Sequence, residues 1–328
     1  MKRKDERFLM KVADMYYRDE LSQDAIASKL NISRTTVSRA LTTAKRLGYI
    51  KIVFDFPTES SVDIEKHLEQ TYHLKEAAVA LSATDEASHV EVSKTAARYL
   101  ARVLKNDMII GLTWGRTMKH LIDAFEEENL GKTLKTKGIQ VVPFLGTNSS
   151  VSESSDFMRL TYSSLLTSKL SELIRGTNYS LPAPMYVKNP ELKRLLLEEP
   201  KISITLEKAK KCQVAFFSLG ELNERSAIGY SAADRVDMLL DLQKQGGIGE
   251  ILGRVYDENG MTIDSEFDQR VIGLSLEDLK RIPTRVGIVY GLHKLQALKV
   301  ALKTGLINVL ITDQETAETL SQSGPTPT

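Results

Sequence analysis

Cysteine is nearly missing from this 328-residue chain: Cys212 is the single one, so no disulfide can form within it. It stands in the apolar run "CQVAFFSLG", where a small apolar residue of a buried strand is expected. No apolar run approaches the roughly 18 residues that a membrane span needs. The start, "MKRKDERF", lacks the apolar core of a secretion signal, which reads as a cytoplasmic protein with no membrane partner. The five histidines, at 67, 73, 89, 120 and 293, show no ligand spacing, so neither a metal nor another cofactor is expected. No acid–base pair or Ser–His–Asp arrangement emerges, so no catalytic residue is assigned and the reading is not an enzyme. Lysine is missing between Lys137 and Lys169, which removes an imine with a carbonyl sugar from any site in the 146–150 loop.

The most informative absence is of one sign of charge. Asp and Glu do not occur from Ala25 through Val53. The net charge of +1 therefore hides an asymmetry: residues 1–52 carry 12 basic and 6 acidic residues, which leaves −5 for the remainder. A basic head on a mildly acidic body suits nucleic-acid binding by the head alone.

The stretch "LSQDAIASKLNISRTTVSRALTTAKRLGYI", residues 21–50, explains that head. Ser22 is placed to cap a first helix carrying Gln23, Asp24 and an apolar face of Ile26, Ala27 and Leu30. Asn31 ends it in a left-handed turn, and Ser33 caps a second helix whose inward positions are Val37, Ala40, Leu41 and Ala44. A three-residue connection containing apolar Ile32 crosses the helices as in a helix-turn-helix. The outer face of the second helix offers Arg34, Thr35, Ser38 and Arg39, with Ser33 and Thr36 at its start. Hydroxyls and guanidiniums are the groups that reach phosphates and base edges. Upstream, Phe8, Leu9, Val12, Ala13 and Tyr16 supply the third wall of a small core. An ordinary solvated helix face would not combine all these features, so operator DNA is the expected partner.

Beyond Gly48, "YIKIVFDF" (49–56) reads as a strand ended by Pro57, and the helical spacing of Ile64, Leu68 and Tyr72 opens a second domain near residue 58. Strand patterns at 77–81, 108–113, 139–145, 213–219, 285–290 and 308–311 then alternate with helical ones at 86–104, 115–128, 155–175, 233–244, 292–304 and 313–321. That alternation predicts an α/β domain with a mainly parallel sheet covered on both faces. The proposed division is an all-α helix-turn-helix domain over 1–57, an α/β effector and oligomerisation domain over 58–322, and a disordered tail over 323–328. The prolines of "LPAP", "KNP" and "EEP" between 181 and 200 mark an insertion or crossover.

In such sheets ligands bind outside the carboxyl ends of the strands. Three loops there are rich in suitable groups. "GLTWGRT" brings Gly111 and Gly115 for close backbone approach and Thr113 and Thr117 as hydroxyls, ahead of a helix start that favours an anion. It is not a dinucleotide fingerprint. Gly146, Thr147, Asn148, Ser149 and Ser150 form a small hydrogen-bonding loop suited to a phosphate or a sugar, or simply a loop. Lys294 sits at a helix start, where a cation is disfavoured unless an anion is bound beside it. Glu250, after three glycines, is placed to accept from sugar hydroxyls or to cap a turn. Asp257 belongs to a "DENG" hairpin turn and is structural.

"ADMYYRDELSQDAIASKLNISRTTVSRAL", "GLTWGRTM", "VGIVYGLHK" and "INVLITDQETAETL" together resemble the SorC family of sugar-responsive bacterial transcription regulators. The resemblance runs over almost the full length. It implies a DNA-binding head and a sensor domain similar to sugar-phosphate isomerases and deaminases. A phosphorylated sugar would lie over the sheet's carboxyl edge, its phosphate at Gly146, Thr147, Asn148 and Lys294, and Glu250 near the sugar. Such proteins work as dimers or tetramers, so the resemblance implies a homo-oligomeric regulator of a carbohydrate-utilisation operon; repressor is the preferred reading, with activator left open. The alternative is a sugar-phosphate isomerase or deaminase fused to a DNA-binding head.

Overall fold

A computed structural model of the chain describes residues 3–50, 61–82, 85–147, 162–222, 235–263 and 265–323. The chain divides into two compact units, Met1–Glu59 and Ser60–Thr328. The expected strand segment 51–56 and the tail from 324 lie outside the described residues, and residues 49 and 50 are not strand.

The first unit is a three-helix core of α1 (Arg3–Tyr17), α2 (Gln23–Leu30) and α3 (Arg34–Arg46). Leu9, Val12 and Met15 of α1 close on Ile26 and Ala27 of α2 and on Val37, Ala40, Leu41 and Ala44 of α3. The turn follows its chemistry: Asn31 takes φ 53°, and the amide of Ile32 donates to the Ala27 carbonyl at 2.9 Å.

The second unit begins with α4 (Val62–Tyr72), β1 (Glu76–Ala80), α5 (Asp85–Val103), β2 (Ile109–Leu112), α6 (Arg116–Glu127), the short α7 (Leu130–Thr133) and β3 (Gln140–Pro143). It continues through α8 (Ser163–Leu173), β4 (Thr177–Asn178), α9 (Pro190–Glu198), α10 (Pro200–Ala209), β5 (Val214–Phe217) and α11 (Arg235–Lys244). The hairpin of β6 (Gly249–Ile251) and β7 (Arg254–Tyr256), α12 (Leu276–Arg281), β8 (Thr284–Ile288), α13 (Leu295–Lys303), β9 (Val309–Asp313) and α14 (Gln314–Ser323) complete it. Seven strands form one parallel sheet in the order β1-β9-β8-β5-β2-β3-β4. Alternate strand residues enter two different cores: Val214 and Phe216 on one face, Ala215 and Phe217 on the other. Burial on both faces is why these strands read as apolar runs.

The prolines at 190 and 200 start α9 and α10, since the first helical position needs no amide donor, and the two helices lie in the expected crossover, from β4 at the sheet's edge back to β5 beyond β2. The expected helix 155–175 is described only as Ser163–Leu173, and residues 155–161 lie outside the described part. Asp257 has the structural place expected of it: its Oδ1 accepts from the amides of Asn259 and Met261, both at 2.9 Å, while Tyr256 bridges Thr262.

Candidate effector site and DNA-reading helix

The chain leaves β2 toward β3 on one side of the sheet, and leaves β5 toward β8 on the other. β2 and β5 are neighbours, so the switch in winding falls between them, and the crevice for a ligand opens at their carboxyl ends. Thr113 follows β2 and is buried; Gly115 takes φ 111° as the N-cap of α6, a conformation that side-chain-bearing residues rarely adopt. The first amides of α6 have no acceptor within the helix and face this edge. Beside them a cavity of 680 Å³ is lined by Thr117, Arg116 and His120 of α6, His89 of α5, Lys294 and Asp313.

The turn after β8 is tied to the next strand. Gly291, at φ 91°, donates its amide to Asp313 Oδ2 at 2.9 Å and to Thr316 Oγ1 at 3.1 Å. Asp313 also accepts from the Thr316 amide and hydroxyl, so its carboxylate holds the fold together. The turn sets Lys294 at the end of a 3-10 turn, Leu292–Lys294, immediately before α13. Its Nζ lies 5.5 Å from the centre of the Tyr290 ring. Burial pushes the Lys294 ammonium below its ordinary value; Glu250 opposes that shift, Arg116 adds to it, and Glu221 opposes it. A cation held down in this way gains from a bound anion.

Glu250 arrives from a different part of the chain. β6 pairs antiparallel with Gly220, just beyond β5, through two bonds of 2.9 Å. A side chain at 220 would meet Glu250 Oε1 at 2.5 Å, so that glycine makes room for the carboxyl. The carboxyl is buried and accepts from the Gly253 amide at 3.1 Å. Burial pushes it up to about 7, against the opposing pull of that amide and of Lys294.

The remaining expected contacts divide. Gly111 lies inside β2, and a Cβ there would sit 1.9 Å from Phe144 Cζ. Its missing side chain is used for packing, not for approach by a ligand. The amides of Gly146 and Thr147 are already donated, to the carbonyls of Ile272 at 3.0 Å and Ala183 at 2.9 Å, so these two residues do not form the open nest expected of them. Asn148 and Ser149 lie outside the described residues. Sequence reasoning missed Arg116, His89, His120 and His293, which share the cavity with Lys294 but are spread from residue 89 to 293. No linear spacing links them. Among the described residues no group of three or more acidic, histidine or cysteine side chains is arranged to hold a metal ion. No helix among them is long and apolar enough to cross a membrane.

In the head, Ser33, Arg34, Thr35, Thr36, Ser38 and Arg39 are exposed on α3. Ser22 is exposed and Gln23 is half-buried at the start of α2. Two of the hydroxyls also cap helices: Ser22 Oγ accepts from the Ala25 amide and Ser33 Oγ from the Thr36 amide, both at 3.2 Å. Arg34 Nε stands 3.7 Å from Asp24 Oδ1. Both partners are exposed, and such a pair contributes little and gives way readily to a phosphate.

A helix-turn-helix with an exposed hydroxyl-and-arginine face, joined to a parallel α/β unit with a polar cavity carrying Arg116 and Lys294 at its carboxyl edge, defines a transcription regulator that senses a small molecule. The chain matches the family model described as "Putative sugar-binding domain" over residues 57–321, and it belongs to the SorC family of transcription regulators that carry this domain. It is similar to the deoxyribonucleoside regulator of Bacillus subtilis strain 168, with 30% identity over 98% of this chain and 99% of that one. The sorbitol operon regulator of Klebsiella pneumoniae is 27% identical over 96% of this chain and 98% of its own. The crystal structure of that full-length regulator, SorC, superposes with a TM-score of 0.73 at 26% identity, covering 97% of this chain and 99% of the other. These relatives are named as regulators rather than enzymes.

Proposed function

We propose that the chain represses a carbohydrate-utilisation operon, and that a phosphorylated sugar bound at the carboxyl edge of its sheet changes its affinity for operator DNA. The observation that carries this reading is the cavity that Lys294 lines beside the open first turn of α6, with buried Glu250 close enough to act on that lysine's charge. A phosphate gains from the ammonium and the helix amides, and a carboxylate accepts from sugar hydroxyls. The α/β unit acts as a sensor without turnover. It also joins two or four copies, since one head reads few base pairs and paired heads read half-sites a helical turn, or a multiple of one, apart. An effector shifts such an equilibrium only by binding the two arrangements unequally.

The test is titration of phosphorylated sugars into the wild type and Lys294→Ala on operator DNA. Losing one charged hydrogen bond costs about 1.5–3 kcal/mol, so the midpoint should rise about ten- to hundredfold. Equal midpoints would place the phosphate elsewhere.

A further inference from the structure

The cavity beside Lys294 has a wall that the effector reading does not use. Arg116 and His120 project from α6 and His89 from α5, and the two imidazole rings lie 5.6 Å apart, centre to centre. Other charged groups face this wall from every side. Lys119 and Asp123 of α6 pair with one another. His293 and Lys294 come from the turn after β8, and Glu315 and Glu318 come from α14. Glu315 is exposed, and Glu318 accepts from Gln314 Nε2 at 2.8 Å. Asp313 is saturated by Gly291 and Thr316. Arg116 and Lys294 are the basic side chains of the lining besides its three histidines, and the carboxylates of Asp313, Glu315 and Glu318 close it from β9 and α14.

We infer that Arg116 and the His89–His120 pair form a second anion-reading wall facing Lys294, and that an ionised ligand group seated between them is bound together with a proton on the histidines. The inference rests on the effector reading above and adds to it which residues grip the acidic group and how pH enters. His120 is held below its ordinary value, first by burial and then by His89, with Asp123 pulling the other way and Lys119 and Arg116 adding to the depression. A dianion placed within about 4–6 Å reverses the local potential and favours the imidazolium. The proton comes from solvent, so by linkage the anion binds more tightly as pH falls through the imidazole range.

Sulfate is the probe, because it carries the charge of a phosphate ester but does not itself titrate near neutrality. Isothermal titration of the full chain in two buffers of different ionisation enthalpy measures protons taken up per sulfate. Wild type should take up a sizeable fraction of a proton near neutrality and bind about three- to tenfold more tightly at about pH 6 than at about pH 8. His89→Asn, and His89→Asn with His120→Asn, should reduce both effects stepwise, down to the share that Glu250, pushed up to about 7 beside Lys294, contributes. The exposed position of His89 keeps the single variant informative if the double one folds poorly. Arg116→Gln should weaken sulfate about tenfold or more. No saturable sulfate binding, binding without proton uptake, or an unaltered Arg116→Gln affinity would each overturn the inference. A wild type that still answers a phosphorylated sugar on operator DNA would then leave the effector reading standing; no answer to any of them would sink that reading instead.

Discussion

Replacing Glu250 by glutamine should stabilise the α/β unit above neutral pH and leave it nearly unchanged in acid. The carboxyl is 7% exposed, and burial pushes it from 4.5 up to about 7. Because the folded value lies above the unfolded one, the native state holds this proton more tightly. The group's contribution is therefore fully present below 4.5 and is lost as pH rises through about 7. At about 1.4 kcal/mol per pH unit, the ionised carboxylate costs the fold about 3 kcal/mol at alkaline pH. Glutamine keeps the shape and an oxygen for the Gly253 amide but gives up the attraction for Lys294, so a net gain of about 1–3 kcal/mol is expected. The single tryptophan, Trp114, follows β2 and packs on the core of this unit, so its fluorescence reports this unit rather than the head. Urea midpoints should converge near about pH 5 and separate toward about pH 8, with the variant above the wild type. Parallel curves, or a variant less stable at about pH 8, would refute the argument that this carboxylate is strained by burial.

Three further outcomes follow from other parts of the molecule. Arg34→Ala with Arg39→Ala should abolish specific operator binding, at about 1–3 kcal/mol for each base no longer read, without changing the helical circular dichroism; unchanged affinity at fixed salt would remove α3 as the reader. Arg254 is buried, donating to Asp268 at 2.5 Å and to the carbonyls of Leu274 at 2.7 Å and Gly273 at 3.2 Å. Arg254→Ala should lower stability by about 3–5 kcal/mol in denaturant unfolding, and a loss below about 1 kcal/mol would show that the hairpin does not depend on this clamp. Gly111→Ala drives a methyl into the Phe144 ring and should cost about 1–3 kcal/mol; adding Phe144→Leu should recover part of it, and strict additivity of the two losses would contradict the packing.

The head was legible in the sequence because its instructions are local. Ser22, Asn31, Ser33 and Ile32 fix two caps and a turn within a dozen residues, and the acid-free run fixes the polarity of the exposed face. The α/β alternation was legible for the same reason, since strands buried on both faces must be apolar whatever their partners. Strand order is not local, and it determined the site. Only the pairing of β5 with both β2 and β8 brings the ends of distant segments to one edge. Only the bridge between Gly220 and Glu250 carries that carboxyl to Lys294. Gly146 and Thr147 show the converse: their composition suited a phosphate, but the folded chain commits their amides to Ile272 and Ala183. His89 and His120 stand 31 positions apart with no motif between them, and the packing of α5 against α6 makes them neighbours. Sequence specifies what each segment buries and how it turns; which side chains meet across a cavity is set by long-range pairing, where each contact depends on all the others.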